Sequence, residues 1–261
     1  MSRFFLSIEF DGASFSGWQI QPDVPTVEGT IEQALHLLFQ QPMDLVGQGR
    51  TDASVNAKEQ IAHIDINPED WNRFLKATSS NPEEDHSLLC HRLNRILGPS
   101  IYISNIWKVK EDAHARFDAL YRSYMYRIVT RPSPLRANQS WYAGEDWNLN
   151  VLNELAVQLV GVHDFDSLSK TNPDNYTTLC TIVESNWTVE GDELFFRITA
   201  NRFLRNMVRR LVGTMWHLQN LDMNSSSILS WIHDLKDHQI YTAPAYGLCL
   251  TKVQYPEGIF I

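Results

Sequence analysis

The sequence has few of the features that mark secreted scaffolds, zinc proteins or membrane proteins. Its cysteines, Cys90, Cys180 and Cys249, are odd in number, far apart and without a C-x-x-C spacing. None of the nine histidines stands in an H-E-x-x-H motif. No stretch approaches the roughly 18 uninterrupted apolar residues of a membrane span, and the N-terminus lacks a signal-peptide core. We therefore expect a cytoplasmic protein with reduced thiols, no membrane association and no metal-dependent reaction.

The chain also lacks an excess of basic residues. Its net charge of −9 argues against a general nucleic-acid binder, because phosphate binding depends on lysine and arginine. The bases are unevenly distributed, however: residues 113–136 hold five arginines and one acid, and residues 201–213 hold four arginines and no acid. An acidic protein with two arginine-rich segments can still form a focused site for a polyanion.

Hydrophobic periodicity predicts strands and helices that alternate along the chain. Residues 3–10 and 59–66 have the period of half-buried strands, and a helix capped by Thr26 is closed by Pro42. Residues 67–86, rich in acids, prolines and serines, are predicted to form loops around a short helix. The remaining predicted elements are helices at 87–97 and 151–160, strands at 101–109 and 122–130, a hairpin turning at 190–192, and a terminal strand within 246–256.

A second group of helices is predicted towards the C-terminus. From Phe203 to about Gln219 an apolar stripe faces Arg202, Arg205 and Arg209 on the opposite side of one helix. Serines 225–227 cap a last helix. The fold class is therefore α/β (α+β), divided into two halves, 1–113 and 114–261.

The stretch GQGRTD, residues 47–52, carries a possible reactive group. Gly47 and Gly49 permit tight turning, and Arg50 can orient the carboxylate of Asp52 and favour its ionised form. Alone, the motif is equally compatible with a helix cap or a turn. A phosphate-binding loop is disfavoured, because the G-K-[ST] ending is missing and an acid would repel phosphate.

Several motifs in order resemble the tRNA pseudouridine synthase A family. The loop is similar to the family pattern G-R-T-D-x-G-V-H-A, and FDGASFSGWQIQP resembles its opening strand and G-W-Q element. Further matches are HARFDALYRSYMYRI, GVHDFDSL, NRFLRNMVRRLVG and APAYGLCL. The resemblance covers nearly the whole chain and is weakest at residues 67–86.

This resemblance implies an isomerase that converts uridine to pseudouridine at positions 38 to 40 of the tRNA anticodon arm, without metal or cofactor. It implies a pseudouridine-synthase fold in which two similar halves share a mainly antiparallel central sheet flanked by helices, and a homodimer. Asp52 matches the catalytic aspartate, Tyr124 the tyrosine that stacks on the target base, and Arg50 the arginine at the displaced base. Arg209 matches the arginine facing the aspartate, and Leu248 the leucine beside the uracil.

The arginine-rich segments would bind the RNA backbone, with Arg116, Arg122, Arg127 and Arg202 as candidates and solubility as their alternative role. Two loop residues depart from the family pattern, since Ser54 replaces a glycine and Asn56 a histidine. A left-handed conformation at position 54 would strain serine. The departures leave open a degenerate paralogue that binds structured RNA without isomerase activity. A glycoside hydrolase is disfavoured, because no motif places a second acid.

Overall fold

A computed structural model describes residues 1–77, 86–168, 177–220, 228–234 and 241–261. They form two compact units: unit 1 comprises Met1–Leu120 with Lys252–Ile261, and unit 2 comprises Tyr121–Thr251. The division after Leu120 lies slightly beyond the predicted boundary at residue 113. The residues from Lys252 to Ile261 also belong to unit 1, whereas the predicted division places them in the second half, 114–261.

Unit 1 is built on an antiparallel sheet. Its elements are β1 (Ser2–Phe10), α1 (Val27–Phe39), β2 (Val46–Gly47), β3 (Asn56–Ile66), α2 (Pro68–Ala77), α3 (His86–Leu97) and β4 (Ile101–Val109). β1 lies between β3 and β4, and β2 pairs with β3. Phe5, Leu6 and Ile8 of β1 are fully buried. The alternation in residues 3–10 and 101–109 thus predicts the strands β1 and β4.

The first two helices differ from their predictions at their ends. Thr26 caps α1 as predicted, but the helix ends at Phe39, because Gln40 adopts a left-handed conformation with φ of 57°. Pro42 therefore does not close it. The short helix predicted within residues 67–86 is the ten-residue helix α2, Pro68–Ala77. Asn67 begins this helix by accepting the amide hydrogen of Asp70 at 2.8 Å.

Unit 2 has mostly antiparallel strands and consists of β5 (Tyr121–Val129), β6 (Trp141–Tyr142), α4 (Leu149–Val157), β7 (Gly161–Asp164), β8 (Leu179–Glu190), β9 (Glu193–Ala200), α5 (Met207–Gln219), α6 (Ile228–His233) and the first residues of β10 (Leu248–Gln254). Its strands lie in the order β5, β9, β8, β7, and the short β6 runs parallel to β5. The turn between β8 and β9 contains Gly191 and Asp192, as predicted, and Gly191 has φ of 64°.

The predicted arginine-faced helix is wrong in its first turn. α5 begins at Met207, because Asn206 adopts a left-handed conformation with φ of 62°. Arg202 and Arg205 therefore precede the helix, and only Arg209 lies on it with Arg210. The predicted cap at serines 225–227 lies outside the described residues.

The predicted fold class is confirmed as a mixed α/β protein with mainly antiparallel strands and flanking helices. The three cysteines are free thiols. In the described ranges no helix is long and apolar enough to cross a membrane.

Candidate active site

The loop carrying Asp52 runs from β2 to β3 and is fixed at its start by neutral side chains. Gln48 Nε2 donates to Gln60 Oε1 at 2.8 Å, and Gln60 Nε2 donates to the carbonyl oxygen of Gly49 at 2.9 Å. Trp18, which is 2% exposed, packs so closely on Gly47 that a Cβ there would lie 2.6 Å from the indole. Gly47 is therefore needed for packing against Trp18.

Residues 12–18, between β1 and α1, hold the rest of this loop, and we call them the strap. The Trp18 amide donates to the Thr51 carbonyl at 3.2 Å, and the Ser54 amide donates to the Phe15 carbonyl at 3.5 Å. A Cβ on Gly17 would lie 2.8 Å from the same Thr51 oxygen. These contacts on both sides of Asp52 leave its backbone little freedom.

The two charged side chains of the motif are accessible to a ligand. Asp52 is partly exposed and Arg50 is exposed. Among the residues that the structure describes, the Arg50 guanidinium makes no ion pair.

Both departures from the family pattern occupy structurally important positions. Ser54 has φ of 63°, the left-handed conformation that strains a residue with a side chain. Asn56 Oδ1 accepts the amide hydrogen of Gly12 at 2.9 Å and so ties the loop to the strap. A Cβ on Gly12 would lie 2.2 Å from the Val55 carbonyl oxygen.

Unit 2 holds the other predicted substrate-binding residues. Tyr124 lies on β5 opposite Ile198, and its ring meets that of Phe203 edge-on at 5.2 Å between centroids. The Arg209 guanidinium donates to the Ala243 carbonyl at 2.8 Å and to Asn206 Oδ1 at 3.0 Å. Asn206, which immediately precedes α5, therefore also orients Arg209.

Leu248 is buried, 7% exposed, and follows a tightly packed turn. The Tyr126 hydroxyl donates to the Pro244 carbonyl at 2.8 Å, and a Cβ on Gly247 would lie 2.7 Å from the Tyr126 ring. Burial raises the pKa of Tyr126 well above its usual range, so its phenol remains a donor. The prediction did not include Tyr126 or Asn206, although the second tyrosine of Y-x-Y is a signal for Tyr126.

The candidate RNA-binding arginines have different surroundings. Arg116 is exposed, and Arg202 is partly exposed. Arg122 donates to the Asn201 carbonyl at 2.8 Å.

Arginines at the far end of the first arginine-rich segment pair with acids of the β8–β9 hairpin. Arg127 lies 3.6 Å from Glu193, and Arg131 and Arg136 contact Asp192 at 2.6 and 2.8 Å. Hydrogen bonds from Arg136 and Arg131 hold the pKa of Asp192 well below its usual range. The net positive charge inferred from residues 113–136 alone is thus partly cancelled.

The predicted residues fall into two sets. Unit 1 carries Asp52, Arg50 and Arg116, and unit 2 carries the remaining six. Within the described ranges, no group of three His, Cys, Asp or Glu side chains could hold a metal ion.

Comparison with known proteins identifies the class to which this fold and these residues belong. Residues 155–256 match the family model described as tRNA pseudouridine synthase. Relatives called tRNA pseudouridine synthase A include one from Porphyromonas gingivalis, 37% identical over all of this chain and all of the relative. Another, from Chlorobaculum tepidum, is 36% identical over 96% of each chain. The chain therefore belongs to the tRNA pseudouridine synthase A family, whose members are isomerases, and the predicted family is confirmed.

Proposed function

We propose that this protein isomerises uridine to pseudouridine at positions 38 to 40 in the anticodon stem-loop of tRNAs, with Asp52 as the catalytic carboxylate. The main support is the GRTD loop, which holds a partly exposed carboxylate between strap contacts to Thr51 and Ser54. Similarity over the full chain to relatives named for this activity is the second support.

The reaction explains why a carboxylate is required. The bond from N1 of uracil to C1′ of the ribose breaks, the uracil turns without leaving, and C5 then bonds to C1′. A carboxylate beside the ribose can add to the sugar or remove the C2′ proton. A backbone fixed by the strap keeps Asp52 in position while the uracil turns.

The residues of unit 2 have roles in holding the base. Tyr124 stacks on the uracil, where an aromatic contact is worth about 1–3 kcal/mol per base. Leu248 packs beside the uracil, and Arg209, held by Asn206 and Ala243, corresponds to the family arginine that faces the aspartate. In unit 1, Arg50 corresponds to the family arginine at the displaced base.

Extruding a stem uridine costs a few kcal/mol, roughly, which contacts with the surrounding RNA must offset. We assign phosphate contacts to Arg116, Arg122 and Arg202. Arg127 is a weaker candidate, because Glu193 and the Phe195 ring already contact its guanidinium. We further infer a cytoplasmic homodimer that needs neither metal nor cofactor, as the family resemblance implies.

The decisive experiment expresses the wild type and Asp52→Asn separately in a strain lacking anticodon-arm pseudouridine. Modified bases are mapped in the tRNA, and tRNA binding is measured with the purified proteins. We expect pseudouridine at one or more of positions 38 to 40 only with the wild type, and similar binding by both proteins.

The left-handed Ser54 favours a second candidate, an RNA-binding paralogue without isomerase activity, because strain there can misplace the carboxylate. The same experiment separates the candidates. A wild type that binds tRNA but forms no pseudouridine supports the paralogue and rejects the isomerase. A fully active Asp52→Asn protein rejects the catalytic role of this aspartate.

A further inference from the structure

Phe117 is an exposed aromatic residue on a firmly held turn. The turn comprises residues 113–118, between β4 and β5, and we call it the ARF turn. Phe117 is 75% exposed. A single exposed apolar residue is common on protein surfaces, so exposure alone indicates nothing. The backbone of this turn, however, is bound by side chains from several parts of unit 1.

Side chains from three separate parts of unit 1 bind the backbone of the ARF turn. Arg3 of β1 donates to the Ala113 carbonyl at 2.7 Å. The Ala115 amide donates to Nδ1 of His63, on β3, at 3.2 Å, and the Tyr255 hydroxyl donates to the Ala115 carbonyl at 2.6 Å. Both polar backbone groups of Ala115 are therefore held by side chains distant in sequence.

These side chains are themselves fixed. Asp65 binds the Arg3 guanidinium through two hydrogen bonds of 2.7 and 2.6 Å. His63 is 4% exposed, and burial, together with the nearby Arg3, lowers its pKa to about 4. At neutral pH its imidazole is uncharged, so Nδ1 can accept the Ala115 amide hydrogen.

The exposed face of the turn is ordered in the same way. The His114 amide donates to Asp118 Oδ2 at 2.6 Å, and the Arg116 amide donates to Nδ1 of His114 at 3.1 Å. The His114 ring lies 4.3 Å from the Phe117 ring, and the Arg116 guanidinium carbon lies 5.8 Å from it. The turn thus presents an aromatic surface beside a cation.

We propose that Phe117 is a stacking platform for an unpaired nucleobase of the RNA substrate, with Arg116 binding a neighbouring phosphate. This inference rests on the proposed function. Sites for single-stranded nucleic acid combine aromatic rings with positive charge, and a base can stack on an aromatic ring whatever its identity. Holding the turn in advance reduces the ordering cost on binding. A contact with a second copy of the chain is the competing explanation.

The test compares Phe117→Ala with Phe117→Trp, and uses Leu135→Ala as a control at an apolar side chain that is 97% exposed in unit 2. Affinity for unmodified tRNA is measured over a range of salt concentrations. We expect Phe117→Ala to weaken binding about 5- to 100-fold with an unchanged salt slope, since no phosphate contact is lost. Phe117→Trp and Leu135→Ala should bind like the wild type, whereas Arg116→Ala should flatten the slope.

Kinetics and light scattering distinguish the remaining outcomes. The platform predicts a higher KM for Phe117→Ala with kcat unchanged at saturating tRNA. Unchanged affinity would overturn the proposal, and a changed oligomeric state with unchanged affinity would indicate a contact between copies instead. A wild type that neither binds nor modifies tRNA would reject the proposed function itself, a result distinct from failure of the Phe117 variant alone.

Discussion

The strap and ARF turn of unit 1 and the hairpin end of unit 2 are held in different ways. In unit 1, backbone groups and closely packed glycines hold the strap, and the ARF turn is bound by the uncharged His63 and Tyr255 as well as by Arg3. In unit 2, Arg131 and Arg136 are bound by Asp192. The comparison shows that the density of arginine in a sequence does not measure the charge available to RNA. We therefore expect the two regions to respond differently to an added side-chain atom, to acid and to salt.

The largest effect is expected from Gly12→Ala. The added Cβ would lie 2.2 Å from the Val55 carbonyl oxygen, so the strap and the loop carrying Asp52 would have to separate. We expect a loss of about 3–4 kcal/mol of stability in urea unfolding, at the upper end of overpacking costs because the clash is with backbone.

Gly49→Ala is the matched control for this change, because among the described residues no atom beyond the two chain neighbours lies within 4 Å of a Cβ at that position. It should be nearly neutral in stability and in pseudouridine formation. Equal stability and activity of the two variants would show that the close approach of Gly12 does not hold the loop.

Acid should weaken the ARF turn before it affects the ion pairs of the hairpin. Unfolded His63 takes up a proton near pH 6.5, whereas burial keeps the folded group neutral to about pH 4. The unfolded state therefore binds more protons in this window, and stability falls as pH drops through it. We expect His63 to contribute a loss of about 1.5 kcal/mol between pH 6.5 and 5, measured by urea unfolding.

His63→Gln supplies the comparison, since its amide oxygen can accept a hydrogen bond but does not titrate in this range. The variant should show a shallower dependence of stability on pH than the wild type. Parallel curves for the two proteins would contradict the assignment.

A smaller effect is expected from Ser54→Gly. Glycine adopts φ of 63° without the steric cost that serine bears, so stability should rise by about 0.5–1 kcal/mol. Gln40→Gly is the control, because Gln40 is also left-handed, with φ of 57°, but follows α1 and lies outside the loop. If strain at Ser54 displaces Asp52, Ser54→Gly should change kcat and Gln40→Gly should not. An equal kcat for both variants would show that this strain does not affect catalysis.

The smallest effect is expected from Asp192→Asn. Removing the charge weakens the contacts with Arg131 and Arg136, which are solvent-accessible and hence contribute little. The melting temperature should fall slightly in 50 mM NaCl, and the difference should disappear in 1 M NaCl, where the charges are screened. A large difference that persists in high salt would mean that the hairpin depends on more than ion pairing.

The hydrophobic periodicity of the sequence was sufficient to predict elements whose burial repeats regularly, such as β1 and β4. It failed at the start of α5, because the left-handed Asn206 interrupts an apolar pattern that continues through Leu204. Within residues 67–86 it indicated a short helix without its bounds, because acids and prolines surround the apolar face containing Phe74 and Leu75.

The family motifs selected Asp52 and Tyr124 as candidates but could not predict the contacts that surround them. The strap lies far from the GRTD loop in sequence, and no pattern pairs Thr51 with Trp18. The hydrogen bond from Ala115 to His63 became apparent only once β3 and the ARF turn were positioned. Long-range hydrogen bonds of this kind have no local signal in the sequence.

Unit 1 is assembled from two pieces of chain, and this has a consequence for its synthesis. Residues 252–261 emerge from the ribosome only after all of unit 2 has been made, and they include Tyr255, whose hydroxyl holds Ala115. The surface bearing Phe117 therefore cannot reach its final arrangement while translation is still passing through unit 2. If Phe117 binds RNA as proposed, a nascent chain that lacks Tyr255 should bind RNA more weakly than the finished protein.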